Sequence, residues 1–241
     1  MQQAQERPAI SIHRGDSAFS RIGGLPQLPA NYPWPADDEG KPLAFLCQIA
    51  LTELPHLGSD LGFPEAGALF FFYCQDQSVW GFDPKDHPNW RVLYAPEVSN
   101  STTPRTPPAG MPSASIYRPY SAGFSTIKTY PESEDEEQAP AGQPPFHMMG
   151  GYPFAIQNPD MEDECQLASQ GIYLGNGDGH RSPEGKAMLQ EPNDWTLLLQ
   201  FDSDDDAGVM WGDSGILYFW VRRSDLAKKD FSKVWMILQC C

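Results

Sequence analysis

The chain carries one run of short motifs twice in the same order, and this restricts its fold more than any other feature. The first half holds Gly23-Gly24-Leu25-Pro26, then Phe45-Leu46-Cys47-Gln48-Ile49, then Gly67-Ala68-Leu69-Phe70-Phe71-Phe72. The second half holds Gly150-Gly151-Tyr152-Pro153, then Leu197-Leu198-Leu199-Gln200-Phe201, then Gly215-Ile216-Leu217-Tyr218-Phe219-Trp220. In each half a Gly-Gly-x-Pro turn precedes an apolar strand with a central Gln, and a Gly starts an aromatic strand. A third pair sets Arg91-Val92-Leu93-Tyr94 against Lys233-Val234-Trp235-Met236. Two copies of one supersecondary unit bury their apolar faces against each other. The expected architecture is mainly β: a β-rich α+β roll of two related repeats with pseudo-two-fold symmetry and a few short helices. The chain reads as a single domain over 1–241, with repeat one over 8–95, a Pro-rich and acidic connection over 96–145, and repeat two over 146–241. Gln48 and Gln200 are expected at equivalent strand positions.

Local pattern fills in the elements. Ile10 and Ile12 alternate on a short strand over 8–13. Residues 20–42 form a Pro/Gly-rich ordered loop whose Tyr32 and Trp34 fold back over apolar surface. Residues 43–51 and 67–74 are too continuously apolar for a one-sided sheet and read as fully buried strands. Val79 to Phe82 and Trp90 to Tyr94 extend a meander over 67–94. Within the connection, Ile116, Tyr117, Phe124 and Ile127 suggest strand fragments, and Glu132 to Glu137 an acidic loop. Asp160 to Gln170 is the best long helix, with acidic Glu162, Asp163 and Glu164 at its positive end and Gly171 at its stop. Gly175 to Gly179 is a loop. Trp195 to Phe201, Gly215 to Arg223 and Val234 to Leu238 are strands, with a short helix capped by Ser224 before the last.

Charge narrows the choice of partners. Lys+Arg 16 against Asp+Glu 32 gives a formal net charge of −16. Nucleic acid is disfavoured, because affinity for a phosphate backbone comes from Lys and Arg. A basic protein partner is compatible with this balance, as is simple solubility. No run approaches the length of a membrane span, so no membrane partner is expected. Met1 to Glu6 is polar and lacks the apolar core of a secretory signal. Cys47, Cys74, Cys165, Cys240 and Cys241 are odd in number and contain no C-x-x-C, which suits a reducing cytoplasm. Oligomeric state is left open.

Three segments could carry chemistry. Asp202, Asp204, Asp206 and Asp213 fall at the 1, 3, 5 and 12 spacing of a calcium loop. Ala207 stands where the sharp turn needs Gly, Asp213 is shorter than the bidentate Glu, and the flanks are strands. An EF-hand is thereby disfavoured. A looser site for calcium or magnesium on Asp202, Asp204, Asp206 and Asp213 is the metal reading, and a charged turn between core strands is the structural one. Gly212-Asp213-Ser214-Gly215 is similar to the nucleophile loop of chymotrypsin-type proteases. Ile216-Leu217 follows where Gly-Pro belongs, however, and none of His13, His56, His87, His147 and His180 lies in a partner motif. Gly175 to Gly179 lacks the phosphate-loop pattern. No catalytic set and no cofactor are expected.

Ser20 to Pro26, Trp34-Pro35 and Gly40-Lys41-Pro42-Leu43 resemble the N-terminal half of the YwqG-like family. Leu198 to Asp205, Met210 to Gly215 and Asp230 to Trp235 resemble its C-terminal half. The resemblance implies a mainly β, roll-like fold of two repeats in a bacterial domain of unknown function. Members that lie near polymorphic toxins imply an immunity or interaction role. Members commonly have Ala where this chain has Ser214, and the resemblance supplies no catalytic residues. Two functions stand at this point. One is a non-enzymatic module binding a basic protein such as a toxin. The other is a metal-dependent hydrolase using the Asp202–Asp213 loop.

Overall fold

The computed structural model describes residues 6–99, 103–131 and 146–241. It is mainly β, a nearly closed antiparallel sheet with a few short helices. The strands are β1 (Arg7–Arg14), β2 (Arg21–Ile22), β3 (Ala44–Ala50), β4 (Ala68–Tyr73), β5 (Trp90–Ala95), β6 (Tyr120–Thr129), β7 (His147–Met149), β8 (Trp195–Asp202), β9 (Ile216–Arg222) and β10 (Trp235–Gln239). Every residue of β3, β4, β8 and β10 except Thr196 is buried, as their unbroken apolar runs require. The helices are α1 (Leu57–Asp60), α2 (Met161–Ala168), α3 (Pro183–Met188) and α4 (Arg223–Leu226).

The strand order is β10-β9-β8-β7-β1-β6-β2-β3-β4-β5. Counted as two successive sets of five, it reads the same from either end. The first strand of each set has crossed over, so β1 pairs with β7 and β6 pairs with β2, while β1 and β6 form the central ladder. Residues 120–129 therefore belong to the heart of the sheet, which corrects their expected place in a connection over 96–145. Phe124 and Ile127 lie on β6, whereas Ile116 and Tyr117 precede it. The acidic run Glu132 to Glu137 lies outside the described residues.

The first two motif pairs occupy matching positions in the strand registers. Gln48 pairs with Phe70 and Gln200 with Tyr218, and each glutamine's own strand carries a bulge at the same offset before it, between Phe45 and Cys47 in β3 and between Leu197 and Leu199 in β8. The Gln48 amide donates to the Phe19 carbonyl (2.8 Å) and accepts from the Gln27 N–H (2.8 Å). The Gln200 amide donates to the Phe146 carbonyl (2.8 Å) and accepts from the Phe154 N–H (2.9 Å). Both glutamines thus clip together the two arms of their Gly-Gly-x-Pro turn, which satisfies an amide that burial would otherwise penalise. The third motif pair aligns differently from expectation. Leu93 faces Phe70 and Ile237 faces Tyr218, so the match is displaced by two residues, a shift that keeps the same face inward.

The edges β5 and β10 are joined by loops and indoles. Trp90 Nε1 donates to the Val234 carbonyl (2.8 Å), and Trp235 Nε1 to the Gly81 carbonyl (2.9 Å). The rings meet edge to face at 5.2 Å. Val79 to Phe82, expected as strand, is a loop that spans this seam, with the Trp80 carbonyl accepting from Leu238 N–H (3.1 Å). Gly81 is at φ +83°, and a Cβ there would lie 1.8 Å from the Met236 carbonyl oxygen, so only glycine fits. Trp34 and Tyr32 fold back as expected, bonding to the Leu43 and Tyr94 carbonyls. Ser224 lies inside α4 rather than at its cap. Its N–H is met by Asp194, from the turn before β8.

Candidate functional site

Strand β8 delivers Asp202 to one end of the sheet, and the chain turns at once through Asp204 to Val209 before returning as β9. Reciprocal backbone bonds between Asp204 and Val209 close the turn (2.8 and 3.0 Å). The Asp204 carboxylate is buried and saturates it. Its Oδ1 accepts the N–H groups of Asp206 (2.8 Å) and Ala207 (3.1 Å), an arrangement that a short acidic side chain favours in tight turns. Its Oδ2 accepts the Tyr120 hydroxyl (2.6 Å) and faces His147 Nε2 at 3.3 Å. His147 Nδ1 accepts the Asp202 N–H (3.0 Å), which leaves the ring proton on Nε2, directed at Asp204. The imidazole stacks on Phe201 at 4.6 Å and has no exposure.

These surroundings drive the two buried aspartates apart electrostatically. Burial raises the Asp202 carboxyl, with the Phe146 N–H opposing in part. Burial also acts to raise Asp204, but hydrogen bonds from His147, Tyr120 and the Ala207 N–H outweigh it and hold the group well below the usual carboxylate range. Tyr120 is pushed up by burial and then by Asp204. Asp204 is therefore a fixed anion.

The outer part of the turn faces solvent. Asp206 pairs with Arg14 at 2.8 Å, both exposed, and the Arg14 guanidinium lies 4.5 Å from the Tyr120 ring centre. Arg118 holds the carbonyls of Asp205 and Asp206 and leaves their carboxylates outward. Beside the turn is a cavity of about 680 Å³. Asp202, Asp204, Asp205 and Asp206 line one side, and Phe154, Ile216 and Met210 are among the apolar groups that line the rest. Met210 is 50 % exposed, one of three large hydrophobic side chains so placed among the described residues.

The expected metal ligands are not gathered. Asp202 and Asp204 are spent on internal donors, Asp206 reaches toward Arg14, and Asp213 is exposed, with its carbonyl bound to the Cys241 N–H. Among the described residues no group of three or more His, Cys, Asp or Glu side chains is placed to hold a metal ion. Ser214, at φ +52°, lines the cavity but bonds no histidine among the described residues, and both nitrogens of His147 are committed elsewhere. All five cysteines are free. No helix among the described residues is long and apolar enough to cross a membrane.

Sequence reasoning found the aspartates and missed Tyr120, His147, Phe154 and Met210. For His147 a signal was present: aligning the two Gly-Gly motifs sets it opposite Ser20, where repeat one has a small polar residue. Tyr120 carries none, because it arrives from the crossed-over strand β6. The family described as Domain of unknown function (DUF1963) matches residues 20–240. No curated protein matches the chain.

Proposed function

For a chain that belongs to the DUF1963 family of unknown function, we propose a non-enzymatic binding module whose acidic cavity receives a basic, amphipathic segment of a protein partner. One observation carries this reading: the exposed carboxylate of Asp205, with Asp206 beside it in an exposed pair with Arg14, stands at a cavity also lined by Phe154, Ile216 and exposed Met210. A Lys or Arg side chain matches such a place, with its methylenes on the apolar floor and its head group at the carboxylates. The net charge of −16 extends the attraction beyond contact and speeds encounter. Saturation of Asp204 by four donors favours fixed charge over proton transfer. Neutralisation of a basic toxin is the specific role proposed, in the cytoplasm, on the strength of the YwqG-like resemblance. The same charge balance disfavours nucleic acid as a partner.

Fluorescence anisotropy with a labelled Lys-rich amphipathic peptide tests the reading. Saturable binding that weakens with salt and in the Asp205→Asn/Asp206→Asn double variant supports it. Binding that is equal for an acidic peptide of the same length contradicts it.

A further inference from the structure

We infer that the opposite end of the same three strands carries a second site, one that takes a small oxyanion-bearing ligand, carboxylate or phosphate. Strand β8 runs from Trp195 to Asp202, β9 from Ile216 to Arg222, and β10 from Trp235 to Gln239. The acidic cavity lies where β8 ends and β9 begins. At the other end, about 23 Å away for seven steps of strand, the start of β8, the end of β9 and the start of β10 enclose a cavity of about 400 Å³. Among the described residues no Asp or Glu lines it, in a chain with 32 acidic residues against 16 basic ones. Its charged lining groups are instead Arg222 and Lys233, with His87, Ser169, Trp195 and Trp235 around them.

Arg222 is held ready for an anion. Its Nη1 donates to Asp194 (3.0 Å), its Nη2 to Gln166 (2.7 Å), and its guanidinium lies over the Trp195 ring at 4.5 Å. Those contacts fix the plane of the group, one of them as an ion pair with Asp194, and use two of its five N–H donors, which leaves three for a ligand oxygen. Its side chain is 20 % exposed, so the fork has little freedom to lose on binding. Lys233 complements it. The ammonium is 66 % exposed and stands 3.7 Å from Asp225 and 3.9 Å from Asp230, beyond hydrogen-bond length, so it can swing to a ligand. His87 stacks on Trp235 at 5.5 Å and closes the wall. Among the described residues a cation would find no carboxylate in this lining, Asp194, Asp225 and Asp230 facing Arg222 and Lys233 without lining it, whereas an oxyanion meets a fixed guanidinium and a mobile ammonium.

The site is independent of the acidic cavity, and its test is separate. The indole N–H resonances of the seven tryptophans can be followed in the ¹⁵N-labelled full chain. Titrations use sodium phosphate and, separately, sodium benzoate, at constant ionic strength. The expected result is saturable shifts at the Trp195 and Trp235 indoles with at least one probe. The apparent Kd should rise by about tenfold or more in Lys233→Gln and stay unchanged in Asp205→Asn. A response to one probe alone assigns the headgroup chemistry. Absence of saturable shifts at these two indoles with both probes overturns the inference, and so does a Lys233→Gln variant that titrates like wild type.

Discussion

Ser20 and His147 occupy the same position in the two repeats. Each accepts the backbone N–H two residues beyond its clamping glutamine, Ser20 Oγ from Ala50 (2.8 Å) and His147 Nδ1 from Asp202 (3.0 Å). Each also meets an acid from the following turn, Glu53 for Ser20 (2.6 Å) and Asp204 for His147 (3.3 Å). The scaffold is thus shared, and the second repeat has filled one slot with a larger side chain. His147 and, from β6, the Tyr120 hydroxyl both face Asp204, so the turn of the second repeat holds a buried anion beside the cavity. Replacing His147 by Ala removes the acceptor for Asp202 N–H, one donor to Asp204 and the stack on Phe201. The expected loss is about 2–4 kcal/mol in urea unfolding. A loss below about 0.5 kcal/mol, the range of neutral surface changes, would show that the slot is not structural.

The glutamine clips predict paired effects. Gln48→Leu and Gln200→Leu each strand one buried N–H and one carbonyl. Each should cost about 1–3 kcal/mol, and the double variant the sum within about 0.5 kcal/mol, because the clips share no partner. Chemical denaturation of the three variants checks this. Strong non-additivity would contradict two independent copies of one device.

How much of this was legible depended on burial. The strands β3, β4, β8 and β9 advertise themselves as unbroken apolar runs, and Gln48 and Gln200 as polar interruptions at matching places. Strand β6 did not, because Ser121 and Ser125 on one face and Thr126 and Lys128 on the other are exposed and break the apolar signal. Its placement follows from strand exchange, a tertiary fact that no local pattern holds. Helix α3 is capped by Ser182 accepting from Gly185 N–H (2.9 Å) and carries Pro183 at its start, a readable signal overlooked beside the glycine loop. In the site, the aspartates stood out by spacing, and the structure engages Asp204 in turn hydrogen bonds that spacing alone does not announce. Their partners Tyr120 and His147 come from far along the chain.

Asp204 gives a direct comparison of structural and metal roles. Asp204→Asn turns a donor amide toward the Tyr120 hydroxyl and His147 Nε2, and should cost about 2–4 kcal/mol. Thermal melts in chelator and in calcium should show the same loss. A melting temperature of the wild type raised by calcium, with the gain absent in Asp202→Asn and Asp204→Asn, would restore the metal reading.

Glu164 sets a pH dependence of opposite sign to that of Asp204. Burial raises its carboxyl from 4.5 to about 7, and its Oε2 has no partner among the described residues. Below 4.5 both folded and unfolded forms are protonated. Between 4.5 and 7 the unfolded chain releases a proton that the folded chain keeps, so stability falls as pH rises and levels off above about 7. Glu164→Gln should match wild type near pH 4 and exceed it by about 3 kcal/mol at pH 8. For Asp204, whose folded value is lowered, the contribution is present above the ordinary carboxylate range and fades as pH falls. The deficit of Asp204→Asn should shrink in acid. Urea midpoints from about pH 2 to about pH 8 separate the two, because the Glu164→Gln gain develops between 4.5 and 7 while the Asp204→Asn deficit shrinks only below 3.8, and a flat difference for Glu164→Gln would refute the assignment.

The most direct measurement for the binding role is a methyl spectrum of the chain labelled at its eight methionines, titrated with the basic amphipathic peptide. Met210 stands in the cavity, while Met148 and Met149 are buried in β7 and Met188 ends α3. The expected result is a saturable shift of the Met210 methyl, with Met188 unmoved and the response abolished by Asp205→Asn/Asp206→Asn. Saturable peptide binding that leaves Met210 unshifted would place the contact elsewhere and contradict the acidic cavity as the binding site.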